Sequence, residues 1–403
     1  MENTNVLISG GGIAGPALAY WLRAYGFTVT VAERAPAPRP GGQAVDLRGA
    51  GRTVIDRMGL LDQARAVSLD QKGIACVNAS GRLTARMPTD LFGGEGIVSE
   101  IEVLRGDLAE VLYAATAPDV EYIFDDSISG LDQDEDGVTV TFEKAAPRRF
   151  GLVAGADGLH SVVRRLAFGP EAGCVRPIGC YTAWFTVPSH YELDGWFLMY
   201  NAPGGLVASM RPGRLPGEIK AGLSFRSGVI EYDHRDTGRQ MDILESKFAG
   251  TRWEVPGLLK DLRRAPDFFF EQVGQVRLGR WSSGRAVLLG DAGYCPTPLT
   301  GLGTSLALVG AYVLAGELAA AGGDHQTAFE RYERVMRPYV GSAQELPPGG
   351  VAGYAPNSAL MIRMRATSMR MMGRWPVRNL VAKQFAKAAG IELPDYPQRA
   401  LRS

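Results

Sequence analysis

Residues 5–33 read NVLISGGGIAGPALAYWLRAYGFTVTVAE, and this stretch decides the fold. The run NVLIS (5–9) is short, apolar and closed by glycines, residues 13–25 are compatible with a helix, and TVTVAE (28–33) has the pattern of a second strand. The order predicts a βαβ unit at the start of an α/β domain.

Glycines follow the first strand in the spacing GxGxxG, at Gly10, Gly12 and Gly15. The first permits a tight turn, the second lets the backbone approach a pyrophosphate, and the third lets helix and strand pack closely. Glu33 ends the second strand, where a carboxylate can accept both ribose hydroxyls of an adenosine. Since a carboxylate disfavours a 2′-phosphate there, the unit predicts bound FAD or NAD rather than NADP.

Composition limits the alternatives. A chain of 403 residues fits two or three domains. Lys+Arg and Asp+Glu both number 43, so no global field recruits nucleic acid, and we expect none as a partner. The start carries no basic region before its short apolar run, so we expect a cytoplasmic protein without integral membrane association. We expect a monomer or a homodimer. The four cysteines show no CxxC spacing, and we expect no metal site.

The pattern of apolar and polar residues changes twice along the chain. From about Cys174 to Gln275, short alternating or aromatic runs separated by Gly and Pro predict an antiparallel sheet. After Trp281 an apolar strand, AVLLG, precedes a long small-residue helix from about Leu302 to Ala321. The nucleotide-binding pattern therefore resumes after an insertion.

Two later segments place an aspartate at the end of a strand. Asp157 and Gly158 follow the apolar run LVA in GADG, and Gly290 and Asp291 follow AVLL. Ligands of open α/β sheets bind at such strand ends.

In this order and spacing, the three motifs resemble those of class A flavoprotein monooxygenases with the para-hydroxybenzoate hydroxylase fold. Within that group the chain is similar to tetracycline-inactivating and aromatic polyketide-hydroxylating members, over most of residues 5–340. The resemblance implies an α/β protein: a Rossmann-like FAD-binding domain, an interleaved, mainly antiparallel substrate sheet and a C-terminal helical segment. We assign 1–70, 100–172 and 276–340 to the first, 71–99 and 173–275 to the second, and 341–403 to the third.

The resemblance also implies which residues hold the non-covalent FAD. The glycine-rich turn, Glu33 and Arg34 are expected to bind the ADP half. Arg105 is expected to lie near the pyrophosphate or the ribityl chain, and Asp291 is expected to bind the ribityl hydroxyls. Asp157 and Gly158 match a motif that bridges flavin and nicotinamide binding, and Asp46 lies where related enzymes approach the flavin or its moving loop. The full set is Gly10, Gly12, Ile13, Ala14, Gly15, Glu33, Arg34, Asp46, Arg105, Asp157, Gly158, Gly290, Asp291, Pro298, Gly301 and Gly303.

The sequence departs from the commoner family pattern at three positions. Tyr294 stands where many relatives have His, Ser305 where they have Asn, and Gly310 where they have Asp. FAD binding is still expected, but no single relative's substrate can be transferred.

The implied chemistry uses NADPH or NADH as a transient co-substrate and molecular oxygen. A flavin C4a-hydroperoxide would hydroxylate a small aromatic or polyketide-type substrate, with no obligatory catalytic side chain or metal. A second GxGxxG and a redox cysteine pair are missing from the sequence, which disfavours a flavin disulfide reductase. A flavin dehydrogenase or reductase on the same fold, and a non-catalytic flavoprotein that sequesters an aromatic ligand, remain alternatives.

The substrate pocket is expected to combine the middle sheet with the loop beside the flavin. Apolar bodies suited to a planar ligand are found at Trp184, Met199, Met210, Phe225 and Tyr294. Farther on, Asn357–Gly390 carries seven Arg and Lys residues and no acid. We interpret it as a surface helix pair packing across the domains, with an anionic partner or membrane surface as the alternative.

Overall fold

The computed structural model describes residues 4–39, 41–93, 96, 99–188, 190–374 and 389–397. In chain order the strands are β1 (Asn5–Ser9), β2 (Thr28–Glu33), β3 (Ala44–Asp46), β4 (Gly73–Val77), β5 (Leu83–Pro88), β6 (Glu102–Leu104), β7 (Glu121–Phe124), β8 (Ile128–Gln133), β9 (Val138–Phe142), β10 (Arg148–Phe150), β11 (Leu152–Gly155), β12 (Val175–Pro188), β13 (Trp196–Ala202), β14 (Leu206–Pro212), β15 (Glu218–Arg226), β16 (Phe268–Val276), β17 (Ser282–Ser283) and β18 (Ala286–Leu288). The helices are α1 (Ala14–Ala24), α2 (Gly49–Arg57), α3 (Leu61–Ala66), α4 (Arg105–Ala114), α5 (Val162–Phe168), α6 (Thr237–Phe248), α7 (Val255–Leu262), α8 (Asp291–Tyr294), α9 (Gly303–Ala320), α10 (His325–Ala343), α11 (Gly350–Tyr354) and α12 (Ala359–Met371).

A six-stranded sheet in the order β17-β18-β11-β1-β2-β7 carries the cofactor motifs. All its pairs are parallel except that of β17 with β18. Its central strands are buried apolar runs because helices cover both faces of a parallel sheet. The carboxyl ends of β1, β11 and β18 lie side by side, which brings the three motifs to one edge.

The long helix α9 is apolar on all sides and packs against α1, α2 and α10. Among the described residues it alone is long and apolar enough to span a membrane, but 83% of it is buried in the fold. We therefore assign it to the core of the nucleotide-binding half.

A seven-stranded sheet forms the second half, in the order β16-β12-β15-β14-β13-β4-β5. It is antiparallel except between β13 and β4. Since β4 and β5 precede the other strands by about a hundred residues, the two halves are interleaved. The predicted fold class is confirmed.

The third segment is partly described. Helix α10 runs through the predicted boundary at residue 340, so the C-terminal segment begins after Ala343. It contains α11 and α12, and α12 packs against β5 and β13. The remainder of the predicted basic helix pair, including Arg378, Lys383 and Lys387, lies outside the described residues.

Candidate active site

The turn between β1 and α1 has no room for side chains. Gly10 has φ +110°, and a Cβ atom there would lie 2.5 Å from the carbonyl oxygen of Ala156 at the end of β11. A Cβ atom on Gly15 would overlap the carbonyl oxygen of Gly10. Glycine at these positions lets the start of α1, at Ile13 and Ala14, sit directly on the strand edge with its N–H groups free for an anion.

Glu33 closes this turn from the second strand. Its carboxylate accepts hydrogen bonds from the backbone N–H groups of Gly11 at 2.7 Å and Ala35 at 2.8 Å. Gly11 is a residue that the motif reading missed, although the GGG run in the sequence contains it. Arg34 is exposed beside Glu33.

Arg105 and Asp291 converge on the same turn from two other elements. Arg105 is the first residue of α4, and one terminal nitrogen lies 3.5 Å from the position of a Cβ atom on Gly12. Burial raises the pKa of the Asp291 carboxyl, and the nearby Arg105 guanidinium opposes that shift. Gly290 has φ +62° and a Cβ atom there would meet Ala14, so this motif abuts the start of α1.

The segment 297–303 leads from Asp291 into α9. Thr297 has φ +90°, rare for a residue with a side chain, and its buried hydroxyl has no hydrogen-bond partner among the described residues. Pro298 is exposed, and Gly301 adopts a left-handed conformation with φ +65°. Gly303 begins α9, so the positive end of an 18-residue helix faces this loop. Thr297 was not predicted, because backbone strain leaves no mark in the sequence.

Asp46 reaches this loop from β3. A Cβ atom on Gly301 would lie 3.3 Å from its Oδ2 atom. Asp46 also forms an ion pair with buried Arg48, at 2.5 Å, and accepts a hydrogen bond from the backbone N–H of Ser99 at 3.0 Å.

The arrangement fits FAD. The glycine turn with Glu33 offers a phosphate and ribose cradle, Arg105 and Asp291 continue it, and the 297–303 loop supplies strained backbone with an orphaned hydroxyl. A turn in which Gly10 and Gly15 cannot carry side chains, and in which Gly12 faces an arginine, is the expected form of a dinucleotide site.

Asp157 contacts the start of α5. Its carboxylate accepts hydrogen bonds from the hydroxyls of Ser9 and Ser161 and from the N–H groups of Val162 (2.8 Å) and Val163 (3.2 Å). It therefore helps to hold the start of α5, whose N-cap residue is Ser161, and its predicted contact with flavin and nicotinamide stays a prediction. Gly158 has φ +82°, and no described atom lies within 4 Å of a Cβ atom there, so this turn is open.

The large sheet presents one face to α6 and α7. The buried side chains of that core include Tyr181, Phe185, Met210 and Phe225. Alternation sends the intervening residues to the opposite face in cross-strand rows. These rows are Thr186–Lys220–Arg211, Trp184–Gly222–Ser209 and Thr182–Ser224–Val207.

This opposite face is attached to the nucleotide-binding half at both ends. In the first row, Arg211 forms a 2.5 Å ion pair with buried Glu102 of β6. Beside the third row, Glu271 lies opposite Thr182 and 3.3 Å from His160, which follows the Asp157–Gly158 turn. The middle row therefore lies between two contacts with the cofactor half.

Of the five predicted pocket residues, Trp184 lies in the middle row of this face and is partly exposed. Met199 shares the face but is buried under α12, with its sulfur 3.1 Å from the Arg365 guanidinium. Met210 and Phe225 point into the core on the other face, so their prediction as pocket residues is wrong. The alternation was visible in the sequence, but not which face meets the cofactor half.

Tyr294 is also a core residue. It is 1% exposed and its hydroxyl lies 2.8 Å from that of Tyr332, while burial raises its pKa to about 12. A Cβ atom on Gly310 would overlap this hydroxyl. Tyr294 therefore occupies space that Gly310 leaves empty, and its prediction as a pocket residue is wrong.

A surface groove of about 450 Å³ lies elsewhere, between 68–70, Tyr191 and the 212–219 turn. None of the predicted site residues lines it. The four cysteines are free and buried, and the described residues contain no group of three potential metal ligands.

Comparison with known proteins agrees with this geometry. The FAD binding domain family model matches residues 3–343. An uncharacterized protein of Mycobacterium tuberculosis is 47% identical over 355 residues, covering 87% of this chain and 94% of that protein. A flavin-dependent monooxygenase of Legionella longbeachae is 38% identical over 344 residues, covering 85% and 88%. The crystal structure of tetracycline destructase Tet(55) superposes with a TM-score of 0.83 at 36% identity, covering 98% of this chain and 100% of that one. The chain thus belongs to the FAD binding domain family and is a class A flavin-dependent monooxygenase.

Proposed function

We propose that the protein uses NAD(P)H and oxygen to hydroxylate an oxygen-bearing, planar aromatic substrate of the polyketide type. The observation that carries this proposal is the middle row of the large sheet. A Cβ atom on Gly222 would lie 2.6 Å from both the Trp184 ring and the Ser209 hydroxyl. The absence of a side chain at Gly222 lets the indole lie across the sheet as a platform for a planar ring.

Hydroxyl groups beside this platform support an oxygen-bearing substrate. The Thr182 and Ser224 hydroxyls lie 2.9 Å apart, and the Tyr354 hydroxyl donates to that of Ser224 at 3.1 Å. Thr182 and Ser224 are buried and neutral, so they can orient phenol or carbonyl oxygens without attracting a charged ligand.

FAD, when bound, supplies the two-electron redox chemistry and the activation of oxygen. The chain's own residues would hold it: the 10–15 turn at the pyrophosphate, Glu33 at the ribose, and Arg105 and Asp291 along the linker. The amino end of α9 would stabilise negative charge beside Gly301–Gly303. The large sheet covers the cleft and excludes water.

Two features support NAD(P)H as a visiting co-substrate. The Gly158 turn is open, and Asp46 contacts Gly301 from a loop rich in Pro and Gly. A cytoplasmic location follows from this use of NAD(P)H, and we include it in the proposal.

The test is oxidation of NADPH and NADH by the FAD-loaded protein with a panel of polyhydroxylated aromatic polyketides. We expect at least one compound to stimulate consumption and to gain one oxygen atom from ¹⁸O₂, as seen by mass. If every stimulating compound only released hydrogen peroxide, the hydroxylation proposal would fail.

A Trp184→Ala variant locates the substrate. Loss of a stacking contact of about 0.5–1.5 kcal/mol should raise KM for the active compound by about 2- to 10-fold with flavin content unchanged. Trp196→Ala is the matched control, because Trp196 lies on the other face of the sheet, 5.9 Å from the Arg86 guanidinium. Equal KM values in both variants would remove Trp184 from the substrate site.

A further inference from the structure

Helix α12 is attached to the large sheet through one side only. Met369 is buried, with its sulfur 3.7 Å from that of Cys76 in β4. Arg365 donates a 2.8 Å hydrogen bond to the Asn201 side chain in β13. These contacts determine which side of the helix faces away from the protein.

The outward side carries large apolar residues. Leu360 is 67% exposed, Met364 61% and Met371 46%. Their spacing of four and seven residues places them in one stripe along the helix, and exposed Met361 lies beside it. Apolar residues repeated along one exposed stripe mark an interaction surface, whereas scattered ones do not.

Arginines flank this stripe. Arg363, Arg370 and Arg374 are exposed, and none forms an ion pair with another described residue. Arg363 lies three residues beyond the stripe residue Leu360, in the neighbouring row of the helix. Arg374 follows the end of the helix in a turn, where its N–H donates to the carbonyl oxygen of Met371 at 2.9 Å. The sequence contains no Asp or Glu from Asn357 to Gly390, so the segment itself supplies no counter-charge to these arginines.

We propose that the outward side of α12 binds the surface of an anionic lipid bilayer. The apolar stripe would enter the boundary of the acyl chains while the arginines contact lipid phosphates. An anionic bilayer surface therefore offers both an apolar layer for the stripe and negative charge for the arginines. A second copy of the chain, placed stripe to stripe, would bring two sets of arginines together. Residues 375–388 carry Arg378, Lys383 and Lys387 and no acid, so they offer no opposite charge either. This inference is independent of the proposed substrate.

The experiment is co-sedimentation of the FAD-loaded full chain with phosphatidylcholine vesicles, with and without phosphatidylglycerol. We expect binding to the anionic vesicles only. Replacing Arg363, Arg370 and Arg374 together by Gln should weaken the partition coefficient by about 100-fold, since each surface arginine contributes about fivefold. A triple Leu360→Ser, Met364→Ser, Met371→Ser variant should also fail to bind, and high salt should release the wild type.

Matched controls change exposed residues elsewhere. Leu215→Ser with Val229→Ser removes two residues that are 64% and 75% exposed, and Arg235→Gln with Arg239→Gln removes two exposed charges. Both should bind like wild type, and every variant should keep its bound FAD. The proposal is overturned if wild type ignores anionic vesicles or if the α12 variants bind as well as the controls. It is also overturned if light scattering shows a dimer that the same α12 substitutions dissociate.

Discussion

At the scale of single residues, two departures from the family pattern explain each other. Tyr294 is larger than the His of many relatives, and Gly310 is smaller than their Asp. The Tyr294 hydroxyl lies where a Cβ atom of residue 310 would be, and it reaches Tyr332 instead. Ser305, the third departure, donates to the carbonyl oxygen of Arg48 at 3.1 Å. The contacts of all three residues thus lie in the buried core next to the 297–303 loop.

Gly310→Ala should therefore destabilise the protein despite the higher helix propensity of alanine. Overpacking against the Tyr294 hydroxyl should cost about 1–3 kcal/mol, measured by denaturant unfolding. Gly341→Ala is the control, because no described atom lies within 4 Å of a Cβ atom there, and it should be neutral or slightly stabilising. Adding Tyr294→Phe should recover part of the Gly310→Ala loss, and no recovery would contradict the steric explanation.

Asp291→Ala should weaken FAD binding while leaving the fold intact. Loss of a charge-assisted hydrogen bond to a buried ligand costs about 2 kcal/mol, or roughly 30-fold in Kd. Flavin fluorescence titration of the apoprotein measures the change, with exposed Glu110→Ala as the control. Wild-type affinity in Asp291→Ala would remove this residue from the cofactor site.

At the scale of elements, the loop between β2 and α2 is tied down at several points. The N–H of Gly41 donates to buried Asp107 at 3.1 Å, and that of Arg105 donates to the carbonyl oxygen of Gln43 at 2.9 Å. Strand β3 pairs with β6 before Asp46 meets Gly301. These contacts attach the loop to α4, β6 and the 297–303 loop, so any movement of the loop must break or carry them.

Asp46→Ala should slow flavin reduction by NAD(P)H, or raise peroxide release, more than it changes substrate affinity. The Asp46–Arg48 ion pair and the Ser99 hydrogen bond hold Asp46 beside Gly301, and their loss should shift β3 relative to the 297–303 loop. Stopped-flow reduction and peroxide yield measure both effects, with exposed Asp62→Ala as the control. Unchanged reduction and coupling would show that Asp46 only stabilises a local turn.

At the scale of the whole molecule, a histidine links the two halves. The His160 ring lies 2.9 Å from Glu171 and 3.3 Å from Glu271 of the large sheet. Hydrogen bonds to these two carboxylates raise its pKa to about 9. The protonated ring therefore bridges the cofactor half and the sheet at neutral pH.

This bridge predicts a pH dependence of stability. Because the folded pKa lies above the unfolded value of about 6.5, the stabilisation is complete below pH 6.5 and is lost as pH rises through 9. The ring is 44% exposed, so solvent screening limits the effect to about 1 kcal/mol. Denaturant unfolding from pH 6 to 10 should show this decline in wild type and a flatter profile in His160→Gln. Identical profiles would contradict the bridge.

The turn between β1 and α1 could be predicted from the sequence because it is built from one short contiguous motif, while the roles assigned to its residues in FAD binding stay predictions. A strand end, three glycines and a helix start determine the turn through backbone conformation alone, and the order of the motifs indicates the interleaved fold. Asp157 shows the limit of this reasoning: the sequence predicts an aspartate at the end of a strand, but not its hydrogen bonds to Ser9, Ser161 and the first N–H groups of α5.

The sequence by itself determined the class of the protein, its flavin and the order of the motifs assigned to that flavin. Only the tertiary structure decided which face of the large sheet meets the cofactor half. Alternation separates an apolar face from one that carries Thr, Ser, Lys and Arg. Both faces are covered, the first by α6 and α7 and the second by the cofactor half and α12, and alternation does not show which cover each face receives. A shift of one residue exchanges the faces. The choice of face places Trp184 on the side of the cofactor half and Phe225 in the core against α6 and α7. Packing between segments that are distant in the sequence determines this choice.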